Sequence, residues 1–228
     1  MGKRDIMFTA DDIEKALNFP LPGFDAQSRM APSHREMAPP LGARTPEKGG
    51  VLLLLYPGNE RGELFTVLTV RTENVAVHKG QVSLPGGGSE PADRSIVHTA
   101  IREACEEVGL CGEDIRIIGS LTPLYIGPSN FFVYPCVASV PYRPSFVLQE
   151  SEVSIVLEVP IRHFLDRENI TVEDWHIGGM MRRVPYFNVY GHKVWGATAI
   201  ILSEFTAVLE GLIAGGRPCG VQACKGDG

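Results

Sequence analysis

The chain has 228 residues, a formal net charge of −6 and 44% hydrophobic residues. That combination fits one packed domain with elaborations, or at most two small ones, and excludes a disordered chain. The acidic balance argues against a nucleic-acid partner or an anionic membrane surface, because either favours a basic face.

Thr9 stands as an N-cap before "ADDIEKAL", which predicts a short helix with acidic residues in its first turn. Residues from about Met30 to Gly50 are rich in Pro, Gly, Ser and charge, as in an irregular arm. Residues 1–49 are therefore read as an N-terminal helix and arm, residues 50–215 as the main domain, and residues 216–228 as a flexible tail. "VLLLLY" (51–56) is a continuous apolar run, expected of a central strand buried on both faces. It is the longest such run and far too short to span a bilayer. Residues 1–15 lack the apolar core of a leader peptide, so the expected location is cytoplasmic.

"LFTVLTVR" (64–71) predicts a second strand, with short strand material near "GQVSL" and then a glycine turn at Gly86–Gly88. Further strands are predicted at "IRIIGSL", "NFFVYPCVASV" and "SIVLEVPI". "RHFLD" predicts one helical turn, and "RRVPYFNVY" with "HKVW" a hairpin around Gly191. "ATAIILSEFTAVLEGLIAG" closes the domain as an amphipathic helix. A mixed β-sheet with helices on both faces follows, of the α/β class. The five cysteines (Cys105, Cys111, Cys136, Cys219, Cys224) have no disulfide-framework or zinc spacing, so buried or reduced thiols are expected.

Residues 95–108 form the most informative segment. On a helix, Val97, Ile101, Ala104 and Val108 fall within an arc of about 60°, a clean buried stripe. Glu103, Glu106 and Glu107, at i, i+3 and i+4, bring three carboxylates to another patch. A solvated acidic face, with Arg102 bridging to Glu106, is one reading. The glycine loop before the helix supports a second, because free N–H groups there can approach a phosphate. Hard oxygen ligands beside such a loop suit Mg²⁺ or Mn²⁺ and phosphoryl chemistry.

"REACEEVGL" (102–110) resembles the core of the Nudix box. The resemblance implies an α/β/α sandwich of the Nudix type and hydrolysis of nucleoside diphosphate derivatives. It implies that Glu103, Glu106 and Glu107 hold the metal and that Arg102 orients the carboxylates. Glu103, Arg102 and, as general base, Glu152 are the candidate catalytic residues; Glu150 lies in the same region. The box departs from its general pattern at Arg94, where a glutamate is usual. The loop "GGGSEPADRS" is one residue longer, which leaves Asp93 or Glu90 for the acidic role.

Gly86, Gly87, Glu90, Pro91, Asp93 and Ser95 are similar to the coenzyme A pyrophosphatase branch. So are Leu68, Thr69, Arg71, Gly80, Pro85, Gly86 and Gly87 upstream, with departures at Thr72, Ala76 and Leu84, and so is "VYGHKVWGATAIIL". The implied reaction splits the diphosphate of coenzyme A or its thioesters into 3′,5′-ADP and 4′-phosphopantetheine. Arg71, His78, Lys79, Gln81, Gly86 and Gly87 are the candidate substrate-binding residues. Tyr125, Phe131, Phe132 and Trp195 offer rings for stacking an adenine, though each also reads as core. Another substrate, such as ADP-ribose or NADH, and a non-catalytic nucleotide-binding module stay open. The expected partner is a small nucleotide. The resemblance also leaves a homodimer open, without nucleic acid or membrane.

Overall fold

The computed structural model describes residues 7–36, 38–59, 62–72 and 80–215. Ala76, His78, Lys79, the expected tail 216–228, and Cys219 and Cys224 within it lie outside those residues.

Four consecutive leucines leave a strand no polar face to turn to water. Leu52–Leu55 are fully buried in β1 (Glu47–Pro57). Leu53 and Leu55 enter the core on one side of the sheet, and Leu52, Leu54 and Tyr56 on the other. β1 runs parallel to β7 (Phe131–Ser139), from Glu47 opposite Phe131 to Leu55 opposite Ser139. Its other edge meets β4 (Gly86–Gly88) near its start and β2 (Leu64–Arg71) at its end, both antiparallel. β2 extends the sheet through β3 (Val82–Ser83) and β8 (Val153–Pro160). β7 extends it through β5 (Arg116–Ser120) and β6 (Leu124–Ile126). A second sheet has the order β11 (His192–Val194), β10 (Met180–Val189), β9 (Ile170–Ile177).

Helix α3 (Ile96–Val108) covers one face of the larger sheet, packing Ala100, Ala104 and Val108 against Leu52 and Leu54. Helices α1 (Ala10–Leu17) and α4 (Gly196–Ile213) share the core of the opposite face. The result is the expected α/β/α sandwich around a mixed sheet. Thr9 caps α1 in a reciprocal capping box with Asp12, as its sequence predicts.

Several expectations are corrected. The ordered sheet opens at Glu47 and not at Gly50, because the backbone of Glu47–Gly49 already pairs with β7. A short helix, α2 (Gly23–Gln27), β6 and β9 add to the predicted elements. Gly86–Gly88 is a strand against β1 and not a free turn. Cys105 and Cys111 form a disulfide, with Cα atoms 4.7 Å apart, while Cys136 is free and buried. The cause is local: Gly109 caps α3 at φ 71°, folding the chain back over its last turn.

The predicted amphipathic helix α4 is instead buried almost all round. It is long and apolar enough to cross a membrane by length and composition, although "VLLLLY" remains the longest unbroken apolar run. Here it forms the core, and its one fully buried acid, Glu204, orders the N-terminal segment. The Glu204 carboxylate accepts from Gly23 N (3.1 Å), Gln27 Nε2 (2.8 Å) and Thr122 Oγ1 (2.6 Å). Removing it would orphan several buried donors, each costing about 1–3 kcal/mol. Glu204→Ala is expected to lower unfolding free energy by at least about 3 kcal/mol, read from urea denaturation. A loss under about 1 kcal/mol would contradict this role for the carboxylate.

Candidate active site

Ser95 begins α3 by accepting a hydrogen bond from His98 N through its Oγ (3.1 Å). The loop before it folds around Asp93, whose side chain is 1% exposed. Asp93 accepts from Glu90 N and from Thr99 Oγ1, each at 2.9 Å. It also takes a bidentate bond from Arg102, Nε to Oδ1 and Nη2 to Oδ2, both 3.1 Å. Asp93 therefore fills the acidic place in the loop. Glu90 lies 4.0 Å from Arg102 and is mostly exposed, and Arg94 is exposed. The Arg102 bonds and the Glu90 N–H, working against burial, hold Asp93 well below the usual carboxylate range. The same bond raises Arg102.

Arg102 does more than bind Asp93. Its Nη1 lies 3.0 Å from both Glu103 Oε1 and Glu106 Oε2, and its Nη2 donates to Gly88 O at 3.0 Å. One guanidinium thus joins the loop, the glycine strand and two helix carboxylates.

The three glutamates do not share one solvated face. Glu106 is 59% exposed, Glu103 16% and Glu107 3%. Glu107 turns inward, accepts from Gly86 N at 3.3 Å and lies 3.8 Å from Arg71 Nη1. Burial pushes its carboxyl up to about 7, against the Gly86 N–H and Arg71, with Glu103 and Glu152 adding to the rise. Burial also raises Glu103, partly offset by Arg102, while Glu106 and Glu152 add to it.

Glu152, 45 residues of chain beyond Glu107, is exposed and its charge adds to the rise of both inner carboxyls. Its loop is docked on the end of α3, where Val147 N donates to Val108 O (2.9 Å) and Gln149 N to Glu107 O (3.0 Å). Glu150, on the same loop, is exposed as well.

The glycines serve packing rather than an open cradle. A Cβ on Gly87 would stand 2.5 Å from Glu103 Cδ, and one on Gly50 2.5 Å from Ile96 O. Bare backbone is what lets α3 lie this close to β1 and β4. The N–H of Gly86, expected to face a phosphate, is turned to Glu107 instead.

Arg71 ends β2 with its side chain 28% exposed and its Nε buried without a hydrogen-bond partner among the described residues. Gln81 stands beside it, its backbone carbonyl accepting from Arg71 N at 3.0 Å. Tyr125 is buried, as its core reading implied, and donates to Asn130 Oδ1 at 3.0 Å. Phe132 packs against it at 5.4 Å between ring centroids, and Phe131 packs partly on the core. Trp195 crosses Trp175 edge-on at 5.1 Å in the region of the second sheet, so these rings are engaged with protein.

Among the described residues, no three carboxylate, imidazole or thiol groups converge as a ligand set. Like charges do not gather unaided, and here Glu103 and Glu106 lean on Arg102 while Glu107 leans on Gly86. The donor set nevertheless fits a hard divalent cation. It offers only oxygens, and a cation would relieve the burial and mutual repulsion that raise Glu103 and Glu107. Addition of Mg²⁺ is accordingly expected to raise the melting temperature. Gly87→Ala, which forces Glu103 aside, should abolish that rise while shifting the Mg²⁺-free melting temperature by only a few degrees. An unchanged Mg²⁺ response would show that Glu103 need not lie against Gly87.

Known proteins place this arrangement. Over 150 residues, 65% of this chain and 76% of the relative, the chain is 38% identical to an uncharacterized Nudix hydrolase, NudL, of Yersinia enterocolitica. Over 153 residues it is 39% identical to the human mitochondrial coenzyme A diphosphatase NUDT8, a match covering 65% of this chain and 64% of that one. A crystal structure of a NUDIX hydrolase from Alicyclobacillus acidocaldarius shares the fold, with a TM-score of 0.51 at 16% identity, covering 75% of this chain and 93% of that one. The NUDIX domain matches residues 47–174, over half the chain and including α3 with its carboxylates; the chain belongs to the Nudix hydrolase family, whose members act on pyrophosphate bonds.

Proposed function

We propose that the substrate is coenzyme A or one of its thioesters, split into 3′,5′-ADP and (acyl-)4′-phosphopantetheine. The observation that carries this reading is Asp93. The lengthened loop is the one that resembles the coenzyme A pyrophosphatase branch, and its aspartate takes the guanidinium of Arg102. The 39% identity to a protein named a coenzyme A diphosphatase supports the same substrate class.

Nudix hydrolases generally use divalent metal ions. In this reading Glu103, Glu106 and Glu107 hold Mg²⁺ or Mn²⁺. When bound, the cation supplies charge neutralisation on the diphosphate and lowers the cost of deprotonating water. The chain's own groups do the rest. Arg102, anchored on Asp93, keeps Glu103 and Glu106 at a fixed spacing. Arg71, with its partly exposed guanidinium at the end of β2, receives a phosphate oxygen beside Glu107, and Gln81, just before β3, accepts from the Arg71 N–H. His78 and Lys79 are proposed as further phosphate contacts on sequence grounds alone. Gly86 and Gly87, read from the sequence as phosphate contacts, are packed against Glu107 and Glu103 and are given no phosphate contact in this reading. Glu152 takes the proton from the attacking water, its carboxylate sharing the electrostatic environment of Glu103 and Glu107.

A hydrolysis panel with products identified by mass tests the reading. It comprises coenzyme A, acetyl-coenzyme A, dephospho-coenzyme A, ADP-ribose and NADH, each in Mg²⁺ and in Mn²⁺. Release of 3′,5′-ADP from coenzyme A is expected, with kcat lowered about 100-fold or more in Glu106→Gln, equivalent to about 2.7 kcal/mol of barrier. Faster turnover of ADP-ribose or NADH would transfer the function to another dinucleotide. Ligand binding without turnover of any compound would mark a binding module.

A further inference from the structure

We propose that Thr72 is a positioning residue that fixes the backbone of Glu152, and hence the direction of its carboxylate. The inference rests on the reading of Glu152 as general base and deepens it.

Thr72 follows the last residue of β2 and is 7% exposed. Its N–H donates to the carbonyl of Glu152 at 2.9 Å. Its Oγ1 donates to the carbonyl of Ser151 at 3.1 Å. Those carbonyls belong to the peptide planes before and after the Glu152 Cα. Holding both planes from one residue restricts φ and ψ of Glu152 together, and so aims its Cα–Cβ bond. On the far side, Glu152 N donates to Gln149 O at 2.9 Å, closing the turn from within.

The strand pairing shows why a dedicated anchor is needed here. The β2–β8 register is regular from Phe65 opposite Pro160 to Val70 opposite Ile155, then shifts, so that Arg71 faces Val153. Ser154 is the extra residue, and its Oγ donates to Val70 O at 3.0 Å. Such a bulge redirects the strand beyond it. Past the shift the pairing holds for Arg71 and Val153, and among the described residues the two bonds from Thr72 carry it on to Glu152 and Ser151. Arg71, Thr72 and Glu152 therefore leave the sheet together at the edge of the carboxylate cluster.

The bond from Oγ1 is the part a substitution can remove alone. Thr72→Val keeps the shape and deletes the donor; Thr72→Ser keeps the donor. Steady-state kinetics are measured for wild type, both variants, Glu152→Gln and the double variant Thr72→Val/Glu152→Gln, with thermal melting to confirm folding. Thr72→Val is expected to lower kcat about tenfold, with KM and the half-saturating Mg²⁺ concentration within twofold. Thr72→Ser is expected within twofold of wild type. In the Glu152→Gln background, Thr72→Val should cost nothing further, because there is no base left to aim. Should Thr72→Val not fold, Thr72→Ala removes the same donor and is read the same way.

An unchanged kcat in Thr72→Val, an equal loss in Thr72→Ser, or a further tenfold loss on top of Glu152→Gln would each overturn the inference. If Glu152→Gln itself retains wild-type kcat, the general-base reading fails and the inference falls with it. Impairment in Glu152→Gln with none in Thr72→Val would remove Thr72 alone.

Discussion

Carboxylates at i, i+3 and i+4 of a helix repel one another, and α3 cannot relieve the strain by turning, because its opposite stripe is buried against β1. Arg102 answers this repulsion. It lies 3.0 Å from Glu103 and Glu106 while Asp93, nearly inaccessible to solvent, takes the other edge of its guanidinium in a bidentate bond. Without Asp93 nothing on the loop would hold the guanidinium in place between the two glutamates; without Arg102 the buried aspartate would lose its bidentate cation and keep only Glu90 N, Thr99 Oγ1 and the His98 ring nearby. The spacing of the helix carboxylates, the path of the loop and the position of Gly88 all follow from that one pair.

The sheet makes the second contribution, by bringing distant chain segments to the same place. β4 lays Gly86 and Gly87 against Glu107 and Glu103 with no side chain between. The end of β2 supplies Arg71 and Thr72, and the loop before β8 supplies Glu152. Each arrives on backbone that is itself hydrogen-bonded, to β1, to β8 or to the end of α3. Rigid supports of this kind are what let a few carboxylates hold a defined geometry.

Much of this was readable from residue order, because it depends on local periodicity. The burial of "VLLLLY", the stripe on α3, its Gly109 cap and the capping box at Thr9 are all nearest-neighbour effects. What could not be read depends on contacts across the fold. Glu107 is buried and Glu106 is not, although both belong to one acidic patch in a helical projection; only β4 distinguishes them. Whether Asp93 or Glu90 met Arg102 turned on the path of a loop stapled by Thr99. Helix α4 looked amphipathic, yet α1, α2 and the sheet enclose it, and Glu204 is satisfied by residues about 80 and 180 positions away. One signal was present but passed over: Gly178 and Gly179, both at positive φ, join two strands, and a two-glycine hairpin turn announces β9.

The central claim is that the Asp93–Arg102 pair preserves a divalent-cation site by fixing the guanidinium where it spaces Glu103 and Glu106. Equilibrium Mn²⁺ binding, followed by the paramagnetic resonance of the free ion, tests it most directly on wild type and Asp93→Asn. The account predicts at least about a tenfold weaker Mn²⁺ affinity in Asp93→Asn with the circular dichroism spectrum unchanged, equivalent to about 1.4 kcal/mol. Equal affinity in the two proteins would show that the glutamates bind the cation without help from the pair, and would contradict it.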